Sequence, residues 1–108
     1  MAQIIDAPVR IPVPGGKTID EYVGRVVSGD SAVSIAHMRA PAGWDEPFQT
    51  PDFDEFTVVL EGALVIDTPD GEMRVAAGQA VITRVGERIR YRTPEGATYI
   101  AVCLPAFS

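Results

Sequence analysis

Glu55 stands at the head of a β-branched run, Phe56-Thr57-Val58-Val59-Leu60, and strand alternation turns Glu55, Thr57 and Val59 to one face. If that face lines a closed barrel, desolvation raises the carboxyl pKa unless a cation or donors stabilise the charge. Such a group works as a general acid/base or anchors a ligand hydroxyl or amine. The competing reading is a salt bridge to one of the arginines. Gln49 is a neutral side chain able to orient Glu55 or a substrate, and Trp44 packs as a lid at the mouth. Tyr91 lies in the alternating run Arg88-Ile89-Arg90-Tyr91-Arg92-Thr93 and offers a second acid/base or hydrogen-bond donor across from Glu55. With Ile89 and Tyr91 inward, Arg88, Arg90 and Arg92 point outward to acids on a neighbouring strand or subunit. A bulge near Gly86 would reverse that register and make Arg90 an anion clamp in the cavity. His37, the only histidine, is either turned inward to a ligand or partly buried against a neighbour.

The remaining chemistry-bearing residues read as ordinary. Asp45, Glu46, Asp52 and Asp54 are solvated loop acids, and Tyr22 and Tyr99 are packing residues. Cys103 lacks a Cys-x-x-Cys context or a local base and packs. No nucleophile elbow, phosphate loop or dinucleotide fingerprint occurs.

The elements that must position these residues are strands. No window sustains a 3.6-residue period, and turn signals recur roughly every 8–12 residues, the pattern of an all-β sandwich or barrel. Strands are predicted near residues 23–27, 32–39, 56–60, 63–67, 72–75, 80–83, 88–93 and 98–105, with Gly62 ending the run after Glu55 and Thr68-Pro69-Asp70-Gly71 turning a hairpin. Residues 1–20 carry Pro8, Pro12 and Pro14 and form an arm or edge strand outside a core of about 22–105.

Two spacings tie these pieces together. Gly43, Gln49, Pro51, Glu55 and Gly62 fall on the pattern G-x5-H-x-H-x3-E-x6-G, and Gly78, Arg84, Gly86, Ile89 and Thr93 on G-x5-P-x-G-x2-H-x3-N. Both are cupin motifs, so the chain resembles the cupin superfamily, and its RmlC-like double-stranded β-helix or jelly-roll barrel is the fold implied. The glycines are kept, whereas Gln49, Pro51 and Ile89 stand where the family has metal-binding histidines. Because proline and isoleucine have no donor, the usual site cannot form, and no cofactor is expected. Glu55 is the retained ligand position. The run Tyr99-Ile100-Ala101-Val102-Cys103-Leu104-Pro105-Ala106 is similar to the end of small cupins of the ethanolamine-utilisation EutQ type, which also lack the histidine triad.

Composition bounds the rest. A chain of 108 residues, 46% hydrophobic, is read as one domain, 1–108. Its formal charge of −6 opposes nucleic-acid binding, which requires clustered cations. No run approaches the ~20 apolar residues of a membrane span, Met1-Ala2-Gln3-Ile4-Ile5-Asp6 is no signal sequence, and a single cysteine fits a reducing compartment, so the expected location is cytoplasmic. Apolar faces on both sides of Val58, Leu60 and Ile100 predict a homodimer. Three functions remain open. One is a proton-transfer enzyme (isomerase, lyase or cyclase) acting through Glu55 on a small molecule in the barrel. Another is a noncatalytic binding or accessory module. The third is a divalent-metal cupin with Glu55, Gln49 and His37 as ligands.

Overall fold

The structure, a computed structural model, describes residues 1–107 and contains nine β-strands and no helix among them. The strands are β1 (Val9–Ile11), β2 (Thr18–Val23), β3 (Ser34–Ala40), β4 (Trp44–Asp45), β5 (Asp54–Thr68), β6 (Gly71–Ala76), β7 (Ala80–Thr83), β8 (Arg90–Thr93) and β9 (Ala97–Leu104). All pairings are antiparallel, and the main path runs β1-β2-β3-β9-β5-β8-β4, with β6 and β7 also on β5. Curling the sheet in this way buries one face of most strands, while β1 at the edge stays largely exposed. The fold is an all-β jelly roll, as the turn spacing predicts.

The 15-residue β5 is the spine, because its two halves serve different partners. Residues 54–62 pair with β9 and 55–58 with β7, whereas 63–68 pair with β6 and 65–67 with β8. Gly62 does not end the strand as expected. A register shift between Val59 and Glu61 inserts a bulge, and the buried set moves from Thr57 and Val59 to Leu64 and Ile66. Gly62 sits at φ +72°, and a Cβ there would lie 2.1 Å from the Gly96 carbonyl oxygen, so only glycine allows the two backbones to meet.

The interior is filled from both halves by Val59, Leu64, Ile66, Val75, Ile89, Tyr91, Tyr99 and Ala101, with Ile19, Ala36 and Met38 from β2 and β3. At the amino-terminal end the sequence expectation shifts. β2 begins at Thr18 and is a full sheet member, registered Thr18 to Arg39 and Ile19 to Met38 on β3, so the arm ends earlier than residue 20. Val26 and Val27 lie not in a strand but in the following turn, whose amides both donate to the buried Glu21 carboxylate. No helix among the described residues is long and apolar enough to cross a membrane.

Candidate functional site

A cavity of about 420 Å³ opens at one end of the barrel between the β1–β2 connection, the loop after β4 and the inner faces of β2, β3, β5, β8 and β9. Strand alternation places most of its walls. Lys17 precedes β2 on the same face as buried Ile19, β3 contributes Met38, and β5 contributes Glu55. Tyr91 comes from β8 and Tyr99 and Cys103 from β9. The loop after β4 adds Glu46, Gln49 and Phe53, while the Trp44 indole closes one side. Gly15 passes that indole so tightly that a Cβ would sit 3.3 Å from Trp44 Cδ1.

The electrostatics of the cavity concern one ammonium and two carboxyls. Burial pushes the Glu55 pKa above the usual carboxylate range, opposed by the charge of Lys17 and by hydrogen bonds from Thr57 and Tyr91. Thr57 Oγ1 donates to Glu55 Oε2 at 3.2 Å. Burial also raises Glu46, to about 7, with Glu55 adding to the rise and Lys17 and Gln49 opposing it. Gln49 Nε2 donates to Glu46 Oε2. Burial lowers Lys17, and Glu46 and Glu55 pull it back. Its Nζ lies 4.4 Å from the Trp44 ring centre and 5.4 Å from that of Tyr99, an ammonium held by aromatic faces. Tyr91 and Tyr99 are raised by burial first and Glu55 second, and Cys103 is pushed up to about 12 by the same causes. The Tyr91 hydroxyl shares a 2.8 Å hydrogen bond with Thr83 Oγ1. Both tyrosines and the thiol therefore stay protonated, and the groups displaced toward neutrality are the two carboxyls and the Lys17 amine.

Glu55, Gln49, Trp44 and Tyr91 meet in this cavity as the sequence analysis places them. His37 and Arg90 do not. On β3 the small or unbranched residues Ser34, Ala36, Met38 and Ala40 are buried inward, so His37 lies on the outer face, beside Asp20 of β2 and Ile100 of β9. Arg90 also points outward. With Arg92 it is paired to Asp67, at 2.9 and 2.8 Å, and its guanidinium lies 4.9 Å from the Phe48 ring centre. No bulge reverses β8, since Ile89 and Tyr91 are the buried pair. The arginine salt bridge considered for Glu55 is absent among the described residues, because the arginines that form ion pairs choose Asp20, Glu95, Asp54, Asp67 and Glu72.

The metal reading fails on its donors. His37 faces away from Glu55 and Gln49, Ile89 is apolar, and Pro51 offers only a backbone carbonyl, which accepts from Gly86 N at 3.1 Å. Among the described residues no cluster of three histidine, cysteine or acidic side chains is formed. The residues present do not fit the family's His-rich metal site.

Sequence reasoning missed Lys17, Glu46 and Tyr99. Glu46 is partly buried rather than a solvated loop acid, and Tyr99 is a wall of the cavity. The signal that could have found Lys17 is its rarity, since it is the only lysine beside eight arginines.

Comparison with known proteins gives three results. No protein-family model matches the chain. An endoribonuclease YbeY of Myxococcus xanthus is 42% identical over 99 residues, 90% of this chain but 34% of the relative, so the chain spans about a third of that protein's length. Among solved structures, the ethanolamine utilization protein EutQ of Salmonella typhimurium superposes with a TM-score of 0.68 at 26% identity, covering 84% of this chain and 71% of that one. An RmlC-like cupin of Shewanella frigidimarina superposes with a TM-score of 0.80 at 12% identity, covering 96% and 89%. With two degenerate cupin motifs, a bulged spine strand and a barrel open at one end, the chain has the RmlC-like jelly-roll fold of the cupin superfamily.

Proposed function

We propose that the barrel binds a small organic molecule and moves a proton on it, with Glu55 as the acid/base, in an isomerisation, elimination or cyclisation. The observation that carries this reading is a carboxyl with a raised pKa on the wall of an open cavity, hydrogen-bonded by Thr57 and sharing the cavity with Tyr91 and an ammonium. A carboxyl tuned toward neutrality both accepts and returns a proton at working pH. Gln49 and Tyr91 position the substrate, and Trp44 covers it. A noncatalytic binding module uses the same cavity without turnover, and product formation separates the two.

The test is Glu55→Gln, examined by thermal unfolding and by native mass spectrometry against a library of small polar metabolites. Glu55 has no arginine partner to strand, so stability is expected to stay near wild type while ligand binding or turnover is lost. A large fall in melting temperature, with binding unchanged in the protein that stays folded, would overturn the assignment.

The likeness to EutQ supports placing the chain near that branch of cupins. The YbeY relative's endoribonuclease activity belongs to a protein about three times as long, and this chain's charge of −6 gives a phosphate backbone little to hold. A homodimer is proposed as well, through the outer face of the sheet. There Val58, Leu60, Ile82 and Leu104 are each more than two-fifths exposed, and Val58 registers with Ile100 and Phe56 with Ile82.

A further inference from the structure

The chain carries eight arginines and one lysine, and none of the arginines lines the cavity, whereas Lys17 does. A permanent cation could have been supplied by arginine, the residue this chain uses at every other basic position. Lysine differs in one chemical respect that matters here: it can lose its proton and become a nucleophile. Lys17 Nζ sits over the Trp44 and Tyr99 rings and, among the described residues, closes no ion pair or hydrogen bond. The two ring faces are therefore the nitrogen's contacts, and no acceptor among the described residues occupies its hydrogens. Two carboxyls face the same space, and the Ile19, Met38 and Phe53 side chains keep it largely apolar.

We propose that Lys17 is a nucleophilic amine that condenses with a small uncharged aldehyde or ketone in this cavity, forming an imine with Glu55 as the proton carrier. The inference rests on the reading of Glu55 as an acid/base and names the substrate class for it. The nitrogen lone pair attacks the carbonyl carbon, the C=O π pair moves to oxygen, and that oxygen takes the proton of the Glu55 carboxyl. The nitrogen gives one of its own protons to the resulting Glu55 carboxylate. Glu55 returns it to the new hydroxyl, which leaves as water as the lone pair closes the C=N bond, and the iminium nitrogen then gives its remaining proton back to Glu55. Amine and carbonyl give imine and water, and no oxidant or reductant is consumed. With two carboxyls against one amine, the cavity favours a neutral carbonyl compound over an oxo acid, whose carboxylate would add a third negative group. Burial supports the amine's role by lowering the Lys17 pKa.

The experiment treats the full chain with propanal and sodium cyanoborohydride at neutral pH and follows N-propylation of Lys17 by peptide mapping. The same reaction in guanidinium provides the rate for an ordinary lysine. A depressed pKa gives more free amine at neutral pH, so labelling in the folded chain should be several-fold faster than in the denatured chain. Glu55→Gln should slow the folded-state rate several-fold and leave the denatured rate unchanged. Labelling of folded wild-type protein no faster than the denatured chain overturns the proposal, whatever the variant does. If that happens while ligand binding still depends on Glu55, the imine is lost and the acid/base reading survives. If fast labelling is indifferent to Glu55→Gln, Glu55 is not the proton carrier and the proposal fails in that part.

Discussion

Raising the pH from 5 to 7.5 should destabilise this protein, and part of the loss should pass through Glu46. Its carboxyl titrates at about 7 in the fold against 4.5 in an unfolded chain, because burial disfavours the charged form. The sign follows from linkage. Below 4.5 the group is protonated in both states and exerts no penalty; above about 7 the fold must carry an ionised carboxylate that water would hold more cheaply. Stability is therefore fully present at acid pH and is lost as pH rises through the folded value. At ~1.4 kcal/mol per unit the undiscounted loss is about 3 kcal/mol. Glu46 retains some contact with solvent, so screening reduces this to about 1–2 kcal/mol, or roughly 5–10 °C of melting temperature for a domain of this size. Lys17 is shifted the other way, downward from 10.5, so its contribution falls as pH drops and its window lies on the alkaline side. Thermal unfolding of wild type and Glu46→Gln at pH 5, 6, 7 and 7.5 isolates the effect. The variant should fall less steeply with pH than wild type, the remaining fall passing through Glu55, and should exceed wild type at pH 7.5. A wild-type melting temperature that is flat or rises over this range, or a variant that keeps the wild-type slope, would refute the reasoning.

Three further outcomes follow from single contacts. Gly62→Ala combines an unfavourable positive φ with a Cβ 2.1 Å from a backbone oxygen, and should lower stability by more than about 3 kcal/mol in urea unfolding; a loss under about 1 kcal/mol would contradict the close approach. Tyr91→Phe removes the buried hydroxyl shared with Thr83 and should cost about 1–3 kcal/mol, whereas a change below about 0.5 kcal/mol would mean that the hydrogen bond is not maintained. Val58→Asp places a charge on the exposed apolar outer face and should convert a dimer to a monomer in sedimentation velocity; a wild-type monomer at micromolar concentration would remove the dimer proposal itself.

Much of the barrel was legible because alternation and turn chemistry are local. Glu55, Thr57 and Val59 share a face, as do Ile89 and Tyr91, and Arg90 and Arg92 point the other way to Asp67. What alternation cannot say is which of two faces is inner. On β3 it separates Ile35, His37 and Arg39 from Ser34, Ala36 and Met38, and hydrophobicity alone favours neither set. Packing decides, since β3 lies beside β9 and the residues facing inward there are Tyr99, Ala101 and Cys103, which leave room mainly for small neighbours and one methionine. The bulge after Val59 was illegible for a related reason. Gly62 signals an unusual backbone, but whether the chain stops or changes partner depends on Gly96, which is distant in sequence. Lys17 enters the site only through the pairing of β2 with β3, so a proline-rich segment that reads as an arm delivers a wall of the cavity.

The loss of the motif histidines and the presence of Lys17 belong to one physical arrangement. A cupin barrel converges polar side chains on a half-closed space, and a carboxylate retained there needs either a positive partner or a proton. Histidines at the motif positions would let a metal supply that charge. Here the corresponding places hold Gln49, Pro51 and Ile89, and the ammonium of Lys17 enters the cavity instead, seated on Trp44 and Tyr99. One ammonium faces two carboxyls, and burial leaves the pKa values of both Glu46 and Glu55 raised against its pull. The site that results stores a mobile proton beside an amine, which is the equipment for carbonyl condensation and for proton transfer alike. Removing the ammonium tests this dependence directly. In Lys17→Met both carboxyls lose the one charge that lowers them, so the Glu46 pKa should climb above 7, and a value that stays or falls would show that the three groups do not act on one another.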